Sequence, residues 1–247
     1  MVVCGKKNKN INEVDEALGD VGDQWDHVGF DVGSRLVVEL VPGKRTAANT
    51  LELTKKFAAR TGGEPPALIC TDEYVCYQAA LAAVYGLPAG QALGAGTPPV
   101  HPRLVYATVC KKRENGHVVE VRRTLVFGTP EQLKAALDAS AWSTNINTSF
   151  VERYNGTERH FNSRNVRKTC GFSKDLAVHV AATWIGVTVY NFCRHHGGLT
   201  IKQEEGPLIQ RTPAMAAGLQ KRRLTLTDIA HTPIPSAPRG MSRSILG

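Results

Sequence analysis

One short run constrains the fold of this 247-residue chain more than any other: Ala67-Leu68-Ile69-Cys70, apolar at every position, with Pro65-Pro66 before it and Thr71-Asp72 after it. Four residues are too few for a helix. A strand without polar alternation is buried on both faces, so helices must cover both sides of the sheet that holds it. The neighbouring segments supply those helices and the remaining strands. Residues 1–6, 24–31 and 35–41 read as strands, the last two joined by a hairpin turn at Val32-Gly33-Ser34. Residues 46–60 read as a helix capped by Thr46, with Ala47, Leu51, Thr54, Lys55 and Ala58 roughly in line, and Gly62-Gly63 stops it. A second helix, 74–85, follows the apolar strand directly. Residues 86–102 are rich in Gly, Pro and Ala and form a surface loop. Residues 103–112 and 117–127 flank Asn115-Gly116, a good turn signal, and make a basic hairpin. Residues 130–139 form a short helix, and 175–194 a longer one in which Leu176, Val180, Trp184 and Val187 recur at helical spacing. Pro213 and Gly218 bracket a last short helix. The predicted class is α/β: a mixed sheet flanked by helices, carrying an inserted basic β-hairpin at about 103–127. From His231 onward no apolar pattern remains, and disorder is expected.

With 42% apolar residues and no extended apolar run, no membrane span is expected. The first residues lack the apolar stretch and small-residue cleavage site of a secretory signal, so a cytoplasmic location is expected. Six cysteines without a CxxC pair fit reduced thiols better than a zinc cluster or a disulfide framework. The net charge of +8 is unevenly placed: residues 101–174 hold thirteen Lys and Arg against six Asp and Glu, whereas residues 1–100 hold nine against twelve. A basic region of this kind attracts nucleic acid through counterion release, although solvated surface charge is the commoner explanation.

Within that region, residues 147–168 read NTSFVERYNGTERHFNSRNVRK, so that one acid, Glu152, opens a segment holding Arg153, Arg159, Arg164, Arg167 and Lys168. Thr148 or Ser149 can cap the helix start, with Glu152 reaching back as in a capping box. The alternative is chemistry on a polyanion. On a helix, Glu152, Asn155 and Arg159 fall on one side and offer a carboxylate, an amide and a guanidinium to one ligand. Asp72 presents the same choice: it caps the helix that follows it, or it binds a ligand at the carboxyl end of a buried strand.

The string from Asn147 to Asp175, then YNFCRHHGGL, then TPAMAAGL, resembles transposases of the DDE type, specifically the insertion sequence one family. TDEYVCY resembles that family's second acid motif, and Asn191, Arg194, His195 and His196 within YNFCRHHGGL resemble its YNxxRxH motif. The resemblance spans residues 4–230 and implies a ribonuclease H-like mixed sheet in residues 1–219, followed by a basic tail, 220–247. It implies two Mg2+ (or Mn2+) ions, Asp72 and Glu152 as catalytic metal ligands, and cleavage and joining of double-stranded DNA at transposon ends and target. DNA contacts are expected from Arg153, Asn155, Arg159, Arg164, Arg167, Lys168, Asn191, Arg194 and His195, in a homodimer or higher oligomer. The adjacent His195 and His196 face different directions on a helix, so they either touch phosphate or bond within the core.

Two-metal phosphoryl transfer needs enough carboxylates to hold two cations about 3.5–4 Å apart. The first strand, residues 1–6, contains neither Asp nor Glu. VVCGKKNKN matches the stretch that follows the family's Asp-Glu-x-Trp motif, which places the first acid upstream and leaves Asp26 and Asp31 as the nearest substitutes. Two readings follow: a transposase core with an incomplete catalytic set, and a non-catalytic remnant that binds DNA or pairs with an intact partner.

Overall fold

The structure, a computed structural model, describes residues 2–4, 21–87, 99–166 and 171–232, with backbone alone at 2–4. Residues 7–20, most of the expected 86–102 loop, Arg167, Lys168 and the tail beyond 232 lie outside the described residues.

The chain is mixed α/β. Strand β1 (Val2–Cys4) pairs antiparallel with β2 (Gly22–Phe30), which pairs antiparallel with β3 (Val37–Gly43). Helix α1 (Ala47–Arg60) begins where Thr46 accepts from the Asn49 N–H at 3.3 Å. Its buried stripe is Thr50, Leu53, Thr54 and Ala58, which keeps Thr54 and Ala58 of the line read in the sequence, whereas Ala47 and Lys55 are exposed and Leu51 is half-buried. The threonines tolerate burial because each hydroxyl donates to a carbonyl one turn back, Thr50 to Thr46 at 2.9 Å and Thr54 to Thr50 at 2.8 Å.

The apolar run enters β4 (Ile69–Asp72), followed by α2 (Cys76–Val84). Strand β4 lies parallel to β5 (Tyr106–Glu114), and β5 pairs antiparallel with β6 (His117–Phe127). Asn115 and Gly116 both take positive φ, 50° and 83°, as a two-residue turn between right-twisted strands demands. The other expected turn differs. Asp31, not a glycine, organises it by accepting from the Gly33 and Ser34 N–H groups and the Ser34 hydroxyl, and Arg35 occupies the left-handed position at φ 61°.

Helix α3 (Pro130–Asp138) has a full capping box between Thr129 and Gln132. Helix α4 (Ser149–Phe161) carries the arginine-rich segment. Helix α5 (Leu176–Thr188) continues through one π turn, Val189–Cys193, and two short helices close the described chain, α6 (Pro213–Ala216) and α7 (Leu226–Ala230). The run Leu176–Cys193 is long and apolar enough to cross a membrane by composition alone, with a mean hydropathy of 1.4. Its inner stripe, however, is His179, Thr183, Val187, Tyr190 and Asn191, while Val178 and Ile185 point outward. Val180 and Trp184, expected on the inner line, are only half-buried, because the polar residues at 179 and 183 have partners inside and take the central places.

The two sheets share no ladder among the described residues, and each has its own core. Val37, Leu40, Tyr154, Val187 and Tyr190 pack on the first sheet. Leu81, Tyr85, Leu104, Tyr106 and Phe127 pack on one face of the second, and Ala107, Val109 and Ile146 on the other. Cys70 is half-buried beside Val109, and burial pushes its thiol up to about 11, as suits a packing residue.

Candidate nucleic-acid interface and acidic residues

Glu152 lies in the first turn of α4, but the capping box does not form. The Thr148 hydroxyl donates to Glu152 Oε1 at 2.6 Å instead of accepting a backbone N–H. Asn147 Oδ1 takes the Ser149 N–H in its place, at 3.1 Å. Lys111 of β5 donates to the same Glu152 oxygen at 2.6 Å. Partial burial raises the Glu152 pKa, but the hydrogen bonds from Lys111 and Thr148 outweigh it and hold the carboxyl below its ordinary value.

Asp72 ends β4, in register with Val109. Its carboxylate accepts from Arg45 at 3.0 Å and, weakly, from the Tyr74 N–H at 3.4 Å. Arg45 lies over the Tyr74 ring, and the Tyr74 hydroxyl donates to the Arg45 carbonyl. Val109 and Lys111 are two apart on β5 and share a face, so the backbone brings Asp72 and the Lys111–Glu152 pair to neighbouring places on one strand pair. The side chains go separate ways, each acid to its own cation. Among the described residues no three His, Cys, Asp or Glu side chains converge where they could hold a metal ion. Asp31 is consumed by its turn. Asp26 accepts from His179 Nε2 at 3.1 Å and from Asn165 Nδ2 at 3.4 Å. Among the described residues the arrangement therefore does not fit a two-metal centre.

The expected trio on α4 also divides. Asn155 and Arg159 line a cavity of about 300 Å³ together with Asp26, Tyr154, Glu158, Asn165 and Thr183, and Glu152 is not part of that lining. Glu158 is buried, with Oε1 unpartnered among the described residues. Burial pushes its pKa up, and the Asp26 charge adds to this. Nothing in the sequence linked Asp26, Glu158 and His179, which come from three distant segments.

Asn191, expected at DNA, is instead buried and spends its amide on β3: Oδ1 accepts from Val37 N at 3.0 Å and Nδ2 donates to Val37 O at 2.9 Å. The hairpin cations are largely engaged within the fold. Lys111 meets Glu152, Lys112 meets Glu114, Arg122 meets Glu73, and Arg123 donates to the Ile146 carbonyl. The cations on α4 and after α5 differ. Arg153 is exposed and Arg194 lies over the Phe161 ring, and neither forms an ion pair among the described residues. Arg35, which sequence reading passed over, lies over Phe150 of α4 and Trp142. His196 sits edge-on to Tyr190; burial lowers its pKa, and the charges of Arg35, Arg153 and Arg194 lower it further. His195 is exposed, and Arg164 is half-buried.

No family model, curated protein or solved structure matches the chain.

Proposed function

We propose that this chain acts in DNA transposition as the DNA-binding core of a DDE-type transposase, its ribonuclease H-like sheet read from sequence resemblance. The observation that carries the reading is the cluster of Arg35, Arg153 and Arg194 about His196, where positive charge accumulates without an acid paired to Arg153 or Arg194 among the described residues. Cations left free by the fold are the ones that can exchange counterions for phosphates. Asp72 and Glu152 are the acids that the resemblance assigns to Mg2+ or Mn2+, but they are paired with Arg45 and Lys111 respectively, and no third ligand joins them among the described residues. The expected behaviour is therefore DNA binding without strand cleavage.

The test is a salt titration of duplex binding, together with plasmid nicking in Mg2+ and in Mn2+. Arg153→Ala and Arg194→Ala should each lower the log–log salt slope by roughly one, whereas Lys112→Ala and Arg122→Ala should leave it alone. Unchanged slopes in the first pair would remove the polyanion reading. Nicking that disappears in both Asp72→Asn and Glu152→Gln would show that these two acids suffice for catalysis.

A further inference from the structure

Phe150, Arg153, Thr157 and Phe161 recur three and four residues apart on α4, so they fall along one line beside the buried stripe of Tyr154 and Glu158. None of the four belongs to a buried core. A guanidinium from another segment lies over the ring at each end of the line, Arg35 with its carbon 3.9 Å from the Phe150 centroid and Arg194 at 3.6 Å from that of Phe161. Arg35 also reaches the Trp142 ring, at 5.1 Å. Phe161 is 64% exposed and Trp142 42%. A lone exposed ring is ordinary on a protein surface. Here two exposed rings, each with a guanidinium against it, lie towards opposite ends of α4 with the exposed Arg153 between, and Phe150 and Phe161 are about 16 Å apart along the axis. None of Arg35, Arg153 and Arg194 forms an ion pair among the described residues. The acids within electrostatic reach, Asp31 for Arg35 and Glu158 for Arg194, are held in a turn and in the interior.

We infer that this side of α4 binds single-stranded DNA, with bases stacked on Phe161 and Trp142 and the phosphates running past Arg153. The inference rests on the DNA-binding reading above and names the form of DNA. Charge alone does not choose between one strand and two, because both carry phosphates. The rings do. In a duplex each base face is covered by the next base, and only the edges are offered in the grooves. An unpaired strand exposes its base faces, and every base has one, so a platform of rings and guanidinium planes holds it whatever its sequence. Arg35 and Arg194 serve twice in this arrangement. Each is a flat cation already laid against a ring, which adds to the stacking surface and leaves its charge available to a phosphate. The Thr157 hydroxyl is spent on the Arg153 carbonyl at 3.1 Å, so the middle of the line offers a cation and no base-reading group. Binding without sequence preference is the consequence.

The experiment measures binding of the full chain to three labelled probes of equal length, about ten nucleotides: oligothymidine, the same backbone without bases, and a duplex. Oligothymidine should bind at least about fivefold more tightly than the abasic strand, and more tightly than the duplex. Phe161→Ala should weaken the oligothymidine complex by about fivefold or more and leave the abasic strand unaffected, while Phe161→Tyr, which keeps the ring, should bind as the parent does. Phe161 is exposed, so neither change threatens the fold. Equal affinity for the thymidine and abasic strands, or tighter binding of the duplex, would overturn the inference and leave the DNA-binding reading standing. An equal loss on all three probes in Phe161→Ala would overturn it as well, since the ring would then act on the protein and not on a base. Failure to bind any of the three would remove both readings.

Discussion

Glu158 is a carboxyl buried against α5, close enough that a Cβ on Gly186 would meet its Oε1 at 3.0 Å. Burial raises its pKa above the unfolded value, so its contribution to stability is complete below the ordinary carboxyl range and is lost as pH rises through the higher folded value. Glu158→Gln should therefore match the parent near pH 4 and exceed it at pH 7 by on the order of 1 kcal/mol, read from urea midpoints at several pH values. Parallel pH profiles would place the charge elsewhere. Asn191 makes the opposite case. Its two bonds to Val37 close a buried backbone pair, and Asn191→Ala would leave a donor and an acceptor unsatisfied. A loss on the order of 3 kcal/mol is expected in equilibrium unfolding, with DNA affinity per folded molecule unchanged. A drop in that affinity would restore the DNA-contact role read from the sequence.

At the scale of the element, Gly33 and Gly116 both read as turn glycines, yet only Gly116 holds a left-handed backbone, at φ 83°. At the first turn Asp31 and Arg35 carry the geometry, and a Cβ on Gly33 would reach nothing closer than Trp142 Nε1 at 3.5 Å. Gly116→Ala should cost about 1 kcal/mol in thermal unfolding, while Gly33→Ala should be neutral or slightly stabilising. Equal losses would mean that both turns depend on glycine freedom. The same contrast explains what was legible in the sequence. The 46–60 helix and its Thr46 cap were readable because their signals are local; the apolar run does form a strand, but a half-buried one at the sheet edge and not one buried on both faces. The buried faces of α1 and α5 were read in part, at Thr54, Ala58 and Val187, but not at Thr50, His179 and Thr183, which look polar until their partners are known. Nor could spacing reveal that Glu152 would bond Lys111, 41 residues earlier, or that Asp26 would bond His179, 153 residues later.

For the molecule as a whole, the positive surface suggested by the composition is smaller than the charge count implies, because the hairpin uses Lys111, Lys112, Arg122 and Arg123 internally. Among the described residues, Arg153 on α4 and Arg194 after α5 are cations without an ion pair. Each of the two sheets is closed by its own ladder and filled by its own core, and α1 bridges them, Ala58 joining the core of the second sheet while the helix packs along β2 and β3. Cooperativity depends on how strongly such halves are coupled, and among the described residues the coupling is side-chain packing without a shared row of backbone bonds. Heat absorbed in a calorimetric scan should then exceed the enthalpy calculated from the steepness of the same transition, and a ratio of one would show that the helix alone fuses the halves into one melting unit.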